Sequence, residues 1–233
     1  MEVIMKNSGF HFKIKTMYVL CITVIGFWGI VTAPAKNHDT EALRQELEQN
    51  KTYLSDMQTD NNFSTVEPHK TENLIQPAQS TVTVIGDSVT LGASRSICET
   101  IPNCMVDAEE SRQVKDALPL LEVLEDEGKL GDTVIIALGI NGYFYESTGQ
   151  EIVDYLGTDR TIYWINLYGQ YLESYSATNK VIAALTEHND NLFLIDWESE
   201  GKKHADWFYP DGVHLNADGQ QGFADFIYSN IQK

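Results

Sequence analysis

The stretch Thr81-Val-Thr-Val-Ile-Gly-Asp-Ser-Val-Thr-Leu-Gly92 decides the predicted fold. Its β-branched first half is typical of a buried strand, and Gly86-Asp87-Ser88 marks a tight turn before a helix-compatible segment. A serine in such a turn lies at the carboxyl end of a sheet, beside the free backbone N–H groups of the helix start. Those N–H groups could stabilise an oxyanion, although a serine there could also simply cap the helix.

Strand-like and helix-like segments alternate from this turn to the end of the chain. Four further strand-like runs are predicted at residues 105–107, 133–138, 161–166 and 192–196. Helices are predicted at residues 89–100 and 114–124, from a capping box of Thr148 and Glu151 to about Leu156, at 177–187, and after Asn216. Strands that are apolar on both faces predict an α/β domain over residues 81–233, a three-layer α/β/α fold with a five-stranded, mainly parallel sheet.

The first 35 residues contain an apolar segment behind a lysine-bearing start. No charged residue lies between residues 16 and 35, and a stretch of that length can just span a bilayer. Ala33-Pro34-Ala35 also offers a signal-peptidase site. Residues 1–35 are therefore predicted to be an N-terminal apolar signal-anchor helix or a cleaved signal peptide. The α/β domain at residues 81–233 would then lie on the extracellular face of the cell membrane, or be secreted.

Residues 36–80 are polar and hold no strand-like run, so we expect a flexible linker or stalk. Five residues within it follow the spacing of a short coiled-coil seam, which could allow self-association: Leu43, Leu47, Asn50, Leu54 and Met57.

The charge of the chain excludes one class of partner. The formal net charge is −18, and beyond residue 36 the chain carries 12 basic and 33 acidic residues. A surface that acidic repels phosphate backbones, so no nucleic acid is expected as a partner.

The cysteines do not suggest a metal site. Cys98 and Cys104 lie six residues apart and, outside the cytoplasm, could form a disulfide or remain free thiols. The sequence shows no metal-ligand pattern and no cofactor motif.

Three loops at predicted strand ends carry the residue types that acyl transfer needs. The hydroxyl of Ser88 becomes a good nucleophile only when a base takes its proton, which His214 could do near neutral pH. Asp211, in the same loop, could hold the imidazole tautomer through Nδ1. Asn141 could donate to the tetrahedral oxyanion together with the N–H of Ser88.

These residues resemble the SGNH, or GDSL-like, hydrolase superfamily. Gly86-Asp87-Ser88 matches the nucleophile block, Gly139-Ile140-Asn141 the Gly-x-Asn block, and Asp211-x-x-His214 the last block. Val89 replaces the usual leucine after the serine. Ser111 stands where a glycine often lies, and the resemblance implies that its backbone N–H is a third oxyanion donor.

A narrower resemblance rests on Ser111-Arg112-Gln113 and on the stretch His204-Ala-Asp-Trp-Phe-Tyr-Pro-Asp-Gly-Val-His-Leu-Asn216. Both look like the extracytoplasmic domain of bacterial peptidoglycan O-acetyltransferases. Full-length members also carry a multi-span membrane acyltransferase domain, whereas one apolar segment precedes the domain here. Either a separate membrane protein supplies the acetyl groups, or the domain works as a stand-alone esterase.

The resemblance implies O-acetyl transfer to cell-wall glycan through an acetyl-Ser88 intermediate. The alternatives are a stand-alone carbohydrate or lipid esterase and a catalytically silent wall-binding module. Tyr143 follows Asn141, while Trp207 and Tyr209 precede Asp211, and exposed rings there could bind the substrate glycan or could pack within their loops.

Overall fold

The computed structural model describes residues 37–60, 81–172 and 175–232. Its centre is a five-stranded, all-parallel sheet with the strand order β2-β1-β3-β4-β5. The strands are β1 (Val82–Gly86), β2 (Cys104–Ala108), β3 (Thr133–Ala137), β4 (Thr161–Ile165) and β5 (Leu192–Ile195). Every strand overlaps a predicted run. The predicted three-layer α/β/α fold is confirmed.

Helices follow the strands and cover both faces of the sheet. They are α1 (Asn37–Asp60), α2 (Ser88–Thr100), α3 (Ala117–Asp126), α4 (Glu146–Leu156), α5 (Tyr175–His188), α6 (Trp197–Gly201) and α7 (Ala217–Ile231). Two 3₁₀ turns lie at Val114–Asp116 and Ala205–Trp207.

Side chains of successive strand residues bury on opposite faces of the sheet. Val84 joins an apolar cluster with α2 and α7, whereas its neighbour Ile85 joins a second cluster with α3, α4 and α5. Both side chains are fully buried. This double burial explains why the central strands are largely apolar, and it leaves the strand ends for polar chemistry.

The prediction of a flexible linker at residues 36–80 is wrong for residues 37–60, which form α1. From Glu41 onward, the described chain belongs to one compact unit. Leu47 and Leu54 are 6% and 7% exposed and pack in the same cluster as α2 and α7. Leu47, Asn50 and Leu54 of the predicted coiled-coil seam are thus buried against the chain's own domain, whereas Met57 is 42% exposed. Residues 61–80 lie outside the described residues.

The predicted N-terminal apolar helix at residues 1–35 also lies outside the described residues. Within the described ranges, none of the helices is both long enough and apolar enough to cross a membrane.

The capping box predicted at Thr148 and Glu151 is wrong. Helix α4 begins at Glu146 with Tyr145 as its N-cap, and Thr148 donates its backbone N–H to the carbonyl of Tyr145 at 2.9 Å. Thr148 therefore lies inside the first turn, where its side chain cannot cap the helix.

Cys98, in α2, and Cys104, at the start of β2, are free thiols. Burial raises the pKa of both thiols. Since the thiolate is the reactive form, both side chains are held in the unreactive protonated state.

Candidate active site

The turn between β1 and α2 presents Ser88 at the first position of the helix. Asp87 is the N-cap, and its Oδ1 accepts the N–H of Val89 at 3.0 Å. A Cβ on Gly86 would come within 2.3 Å of the Cβ of Thr90, so only glycine fits where the chain turns into α2. These contacts fix the direction in which Ser88 leaves the turn.

Ser88, His214 and Asp211 meet at the carboxyl edge of the sheet, as predicted from the sequence. The Oγ of Ser88 lies 3.0 Å from Nε2 of His214, and Nδ1 of His214 lies 2.7 Å from Oδ2 of Asp211. When Nδ1 carries the proton and donates it to Asp211, Nε2 is left to accept the serine hydroxyl. This is the hydrogen-bond order that a serine nucleophile and its base require.

Asp211 is held as a carboxylate by several donors. Its Oδ1 accepts the backbone N–H groups of Val213 at 2.9 Å and His214 at 3.0 Å. Burial opposes ionisation, but the hydrogen bonds from the His214 side chain and from these N–H groups outweigh it and keep the pKa of Asp211 below its ordinary value. Asp211 is therefore ionised at neutral pH.

The loop that carries Asp211 and His214 is closed at its base by backbone hydrogen bonds. Tyr209 donates its N–H to the carbonyl of His214 at 2.8 Å, and Phe208 pairs with Leu215 in an antiparallel bridge. Gly212 has a φ of 70°, in the left-handed region that favours glycine. The segment from Tyr209 to Leu215 is thus a short, tight hairpin, named the catalytic hairpin after its candidate residues Asp211 and His214.

The other two donor candidates lie in loops after neighbouring strands. Asn141 follows β3, and its Nδ2 donates one hydrogen to the carbonyl of Arg112 at 3.3 Å. An amide nitrogen carries two hydrogens, so one remains for an oxyanion. Ser111, after β2, has a φ of 62°. It therefore keeps the left-handed backbone that explains why glycine is common at this position.

Arg112 links the three strand ends that carry these residues. Its side chain is 9% exposed and pairs with Asp107 at 2.6 Å. Nη1 also donates to the carbonyl of Asp107 at 2.7 Å and to that of Gly86 at 3.1 Å. In the sequence, Arg112 stands out only as part of the resemblance carried by Ser111-Arg112-Gln113. The signal that could have revealed its position is the acid at 107 and the base at 112 on the two sides of one loop.

A narrow pocket of about 30 Å³ is lined by Asp87 and Val89, the chain neighbours of Ser88, and by apolar side chains that include Ile140, Leu167 and Trp197. Asp87 is 2% exposed, and burial raises its pKa to about 7. A cavity needs roughly 10–15 Å³ to hold one water molecule, so this pocket has room for a small group only.

The aromatic side chains predicted to bind substrate occupy different settings. Tyr143 is 59% exposed beside the Asn141 loop. Tyr209 is half-buried and donates its hydroxyl to Glu46 of α1 at 2.7 Å. Tyr143 thus lies in the loop of Asn141, and Tyr209 lies in the hairpin of Asp211, as their positions in the sequence indicate.

Trp207 differs from the prediction of an exposed ring. Its indole stacks on the His204 ring, with centroids 3.6 Å apart and planes 7° apart. A Cβ on Gly222 of α7 would approach that indole within 2.3 Å. Because the ring packs against α7, this placement favours a role in the core.

Sequence reasoning missed Tyr171, which is 72% exposed and lies beside the catalytic hairpin. A Cβ on Gly212 would come within 2.7 Å of the Tyr171 ring. Tyr143 and Tyr171 each line an open groove, of about 540 and 580 Å³, and both grooves include Ser176. An aromatic residue shortly after β4 is the signal that could have identified Tyr171.

No group of histidine, cysteine and acidic side chains that could hold a metal ion occurs in the described part of the chain.

A scan against models of protein families found no match. The chain is 30% identical over 156 residues to O-acetyltransferase OatA of Staphylococcus aureus strain NCTC 8325 / PS 47, covering 66% of this chain and 25% of that protein. Among solved structures it is similar to the C-terminal catalytic domain of Streptococcus pneumoniae peptidoglycan O-acetyltransferase A (OatA). That likeness has 25% identity and a TM-score of 0.59, and it covers 65% of this chain and 92% of that domain. The chain is homologous to the SGNH-type catalytic domain of OatA.

This homology confirms the resemblance found in the sequence. The chain spans about a quarter of the length of the curated OatA relatives that it matches. A family 3 carbohydrate esterase from Clostridium thermocellum is 16% identical, has a TM-score of 0.52, and is matched over 65% of this chain and 94% of that one. At that identity the likeness between this chain and the esterase shows the fold alone.

Proposed function

We propose that this chain is a serine acyl-ester enzyme that transfers O-acetyl groups to cell-wall glycan through an acetyl-Ser88 intermediate. The observation that carries the proposal is the hydrogen-bonded series from Ser88 Oγ through His214 to Asp211, at 3.0 and 2.7 Å. The homology to OatA catalytic domains supports the same chemistry.

In the first half-reaction, His214 Nε2 takes the Ser88 proton while Oγ attacks the carbonyl carbon of the donor ester. The oxyanion that forms is stabilised by the N–H groups of Ser88 and Ser111 and by Nδ2 of Asn141. The leaving alcohol then receives the proton from His214, and acetyl-Ser88 remains. Asp211 stabilises the imidazolium through Nδ1 throughout.

In the second half-reaction, His214 takes the proton of a sugar hydroxyl as its oxygen attacks acetyl-Ser88. The same donors stabilise the second oxyanion, the acetyl ester of the sugar forms, and Ser88 recovers its proton from His214. Water at about 55 M competes for the acyl group, so a transferase must hold its acceptor with a large effective molarity.

The shape of the site supports a small acyl group and an extended acceptor. Asp87 and Val89, on either side of Ser88 in the sequence, line a pocket of about 30 Å³, which would hold an acetyl methyl but not a lipid chain. The exposed rings of Tyr143 and Tyr171 flank the Asn141 loop and the catalytic hairpin, where they could stack on sugar rings. Of the side chains predicted to bind substrate, we retain Tyr143 and Tyr209, and we add Tyr171.

The location and partners of the chain are part of the proposal. Residues 1–35 would attach the chain to the cell membrane or direct its secretion, with the catalytic unit on the extracellular side. A separate membrane acyltransferase would supply acetyl groups. The packing of α1 supports a catalytic unit that begins near residue 41 rather than 81.

The test is to mix the protein with 4-nitrophenyl acetate and a peptidoglycan oligosaccharide and to measure acetylated sugar and free acetate by mass spectrometry. We expect acetylated sugar that is absent with Ser88→Ala. We expect Tyr171→Ala to lower transfer more than hydrolysis, because acylation of Ser88 needs no glycan. Phe193→Ala, which removes an exposed ring from the β5 strand, is the control.

The stand-alone esterase is the alternative with a specific outcome. If several wall oligosaccharides yield no acetylated sugar while acetylated glycan is readily hydrolysed, the esterase reading replaces transfer. A protein that accepts no ester at all would instead be the silent wall-binding module.

A further inference from the structure

The carboxylate of Glu46, in helix α1, lies between two residues that flank the catalytic hairpin. Tyr209 donates its hydroxyl to Oε2 of Glu46 at 2.7 Å. Gln220, in α7, donates its side-chain amide to Oε1 of the same carboxylate. A hydrogen bond to a charged group is stronger than one between neutral groups, so both partners are held firmly.

Each of these partners also makes a second hydrogen bond to the backbone at the end of the catalytic hairpin. Tyr209 donates its backbone N–H to the carbonyl of His214 at 2.8 Å. Gln220 is 8% exposed and donates to the carbonyl of Leu215 at 2.9 Å. The short segment between Tyr209 and Leu215 contains both Asp211 and His214. One carboxylate of α1 therefore fastens both ends of the segment that carries the base and its orienting acid.

Helix α1 also contacts the helix that carries the nucleophile. Asn50, one turn after Glu46, is 5% exposed and donates Nδ2 to the carbonyl of Gly92 at 2.6 Å. Gly92 lies one turn after Ser88 in α2. A Cβ on Gly92 would lie 3.8 Å from Leu47, which lies between Glu46 and Asn50 in the sequence of α1. The same face of α1 thus touches both halves of the site.

We propose that Glu46 is a positioning residue that sets the distance between His214 and Ser88. Proton transfer depends steeply on this distance, and a displacement of about 1 Å can cost roughly 100-fold in rate. Leu47 and Leu54 keep α1 packed without Glu46, so the carboxylate acts on the hairpin rather than on the helix. The inference rests on the proposed acyl-ester chemistry but not on which acceptor is used.

The experiment uses the full chain and compares Glu46→Ala, Glu46→Gln and Tyr209→Phe with Glu48→Ala. Glu48 is an exposed carboxylate on the same helix, two residues further on. For each variant we measure kcat and KM for 4-nitrophenyl acetate, the melting temperature, and the low-field proton NMR signal of His214 Nδ1–H. That proton lies in the 2.7 Å contact with Asp211, so its signal reports the hairpin directly.

We expect Glu46→Ala to lower kcat about 10-fold, to leave KM within about 2-fold, and to shift or broaden the proton signal. Glu46→Gln keeps one acceptor oxygen and should recover part of the loss. Glu48→Ala should match the wild-type chain. Glu46 and Tyr209 share a hydrogen bond. The double variant Glu46→Ala/Tyr209→Phe should therefore lose less transition-state stabilisation than the sum of the losses of Glu46→Ala and Tyr209→Phe.

A lower melting temperature with wild-type kcat and an unchanged proton signal would overturn the positioning role. If Glu46→Ala does not fold, Tyr209→Phe decides, because it removes one hydroxyl: a reduced kcat and altered signal support the role, and wild-type values reject it. If the wild-type chain cleaves no ester, the proposed function fails. The proton signal then still tests the position of the hairpin.

Discussion

The guanidinium of Arg112 donates to the backbone carbonyl of Gly86, two residues before Ser88. The same side chain pairs with Asp107 at the end of β2. The backbone carbonyl of Arg112 accepts a hydrogen bond from Nδ2 of Asn141. The guanidinium therefore joins the nucleophile turn to the end of β2, while Asn141 is held by the backbone carbonyl of the same residue, so the spacing of the oxyanion donors depends on the position of Arg112.

Arg112→Lys should lower kcat for 4-nitrophenyl acetate by about 10-fold, because a lysine keeps the charge but cannot bridge several acceptors with a planar fork. Steady-state kinetics measures the effect. Arg160→Lys is the matched control, since Arg160 also pairs with an acid, Glu125, but outside the site. Equal activities of the two variants would contradict the role given to Arg112.

Ser88→Ala and His214→Ala should each nearly abolish acetate release, because one removes the nucleophile and the other its base. Residues that act as a unit are not additive, so the double variant should be little worse than either single one. Release of acetate is measured with excess enzyme to detect slow turnover. Substantial activity in Ser88→Ala would place the nucleophile elsewhere.

Asn141→Ala should lower kcat by about 10²–10³, equivalent to roughly 3–4 kcal/mol, if Nδ2 contacts the oxyanion. The amide also donates to the Arg112 carbonyl, so the melting temperature of the variant must be compared with that of the wild type. A change confined to KM would instead mean that Asn141 binds the ground-state substrate.

The strands and the three catalytic candidates could be predicted from local signals. The central strands β1 and β3 are largely apolar runs, and Ser88 and Asn141 follow glycines where these strands end, whereas His214 lies in the hairpin that precedes α7. Parallel strands bring such ends together whatever the distance along the chain. The order of the sequence blocks along the chain therefore predicts that these residues meet at one edge of the sheet.

The partners of α1, Arg112 and Trp207 could not be predicted in this way. A stripe of leucines identifies a buried face but not what covers it, and the same stripe fits a second copy or the chain's own domain. Trp207 packs where Gly219 and Gly222 leave space on α7, a pairing between residues that no local pattern connects.

Removing α1 should destabilise the catalytic unit. Burial of a leucine side chain contributes about 1.5–3 kcal/mol, so losing Leu47 and Leu54 costs at least about 3 kcal/mol. A chain shortened to begin at Ser80 should melt roughly 6–12 °C below one that begins at residue 37. Differential scanning calorimetry gives both temperatures.

A single-site comparison separates packing from chain length. Leu47→Ala should cost about 2–5 kcal/mol, because it leaves a cavity under α1. Met57→Ala, on the same predicted seam but 42% exposed, should have little effect. Equal melting temperatures for the two variants would mean that α1 does not pack as described.

Asp87 should make the stability of the domain depend on pH. Burial raises its pKa to about 7 in the folded chain, against about 3.9 for an unfolded aspartate. The folded state therefore favours the protonated carboxyl. The stabilisation is complete below the unfolded pKa and is lost as the pH rises through about 7.

The variant Asp87→Asn tests this dependence, because it keeps an acceptor for the Val89 N–H but cannot ionise. The melting temperature of the wild type, relative to Asp87→Asn, should fall by roughly 5–10 °C between pH 5 and pH 8. General repulsion among the acidic side chains acts on both proteins and cancels in the difference. A constant difference across that range would show that Asp87 is ionised in the folded chain throughout.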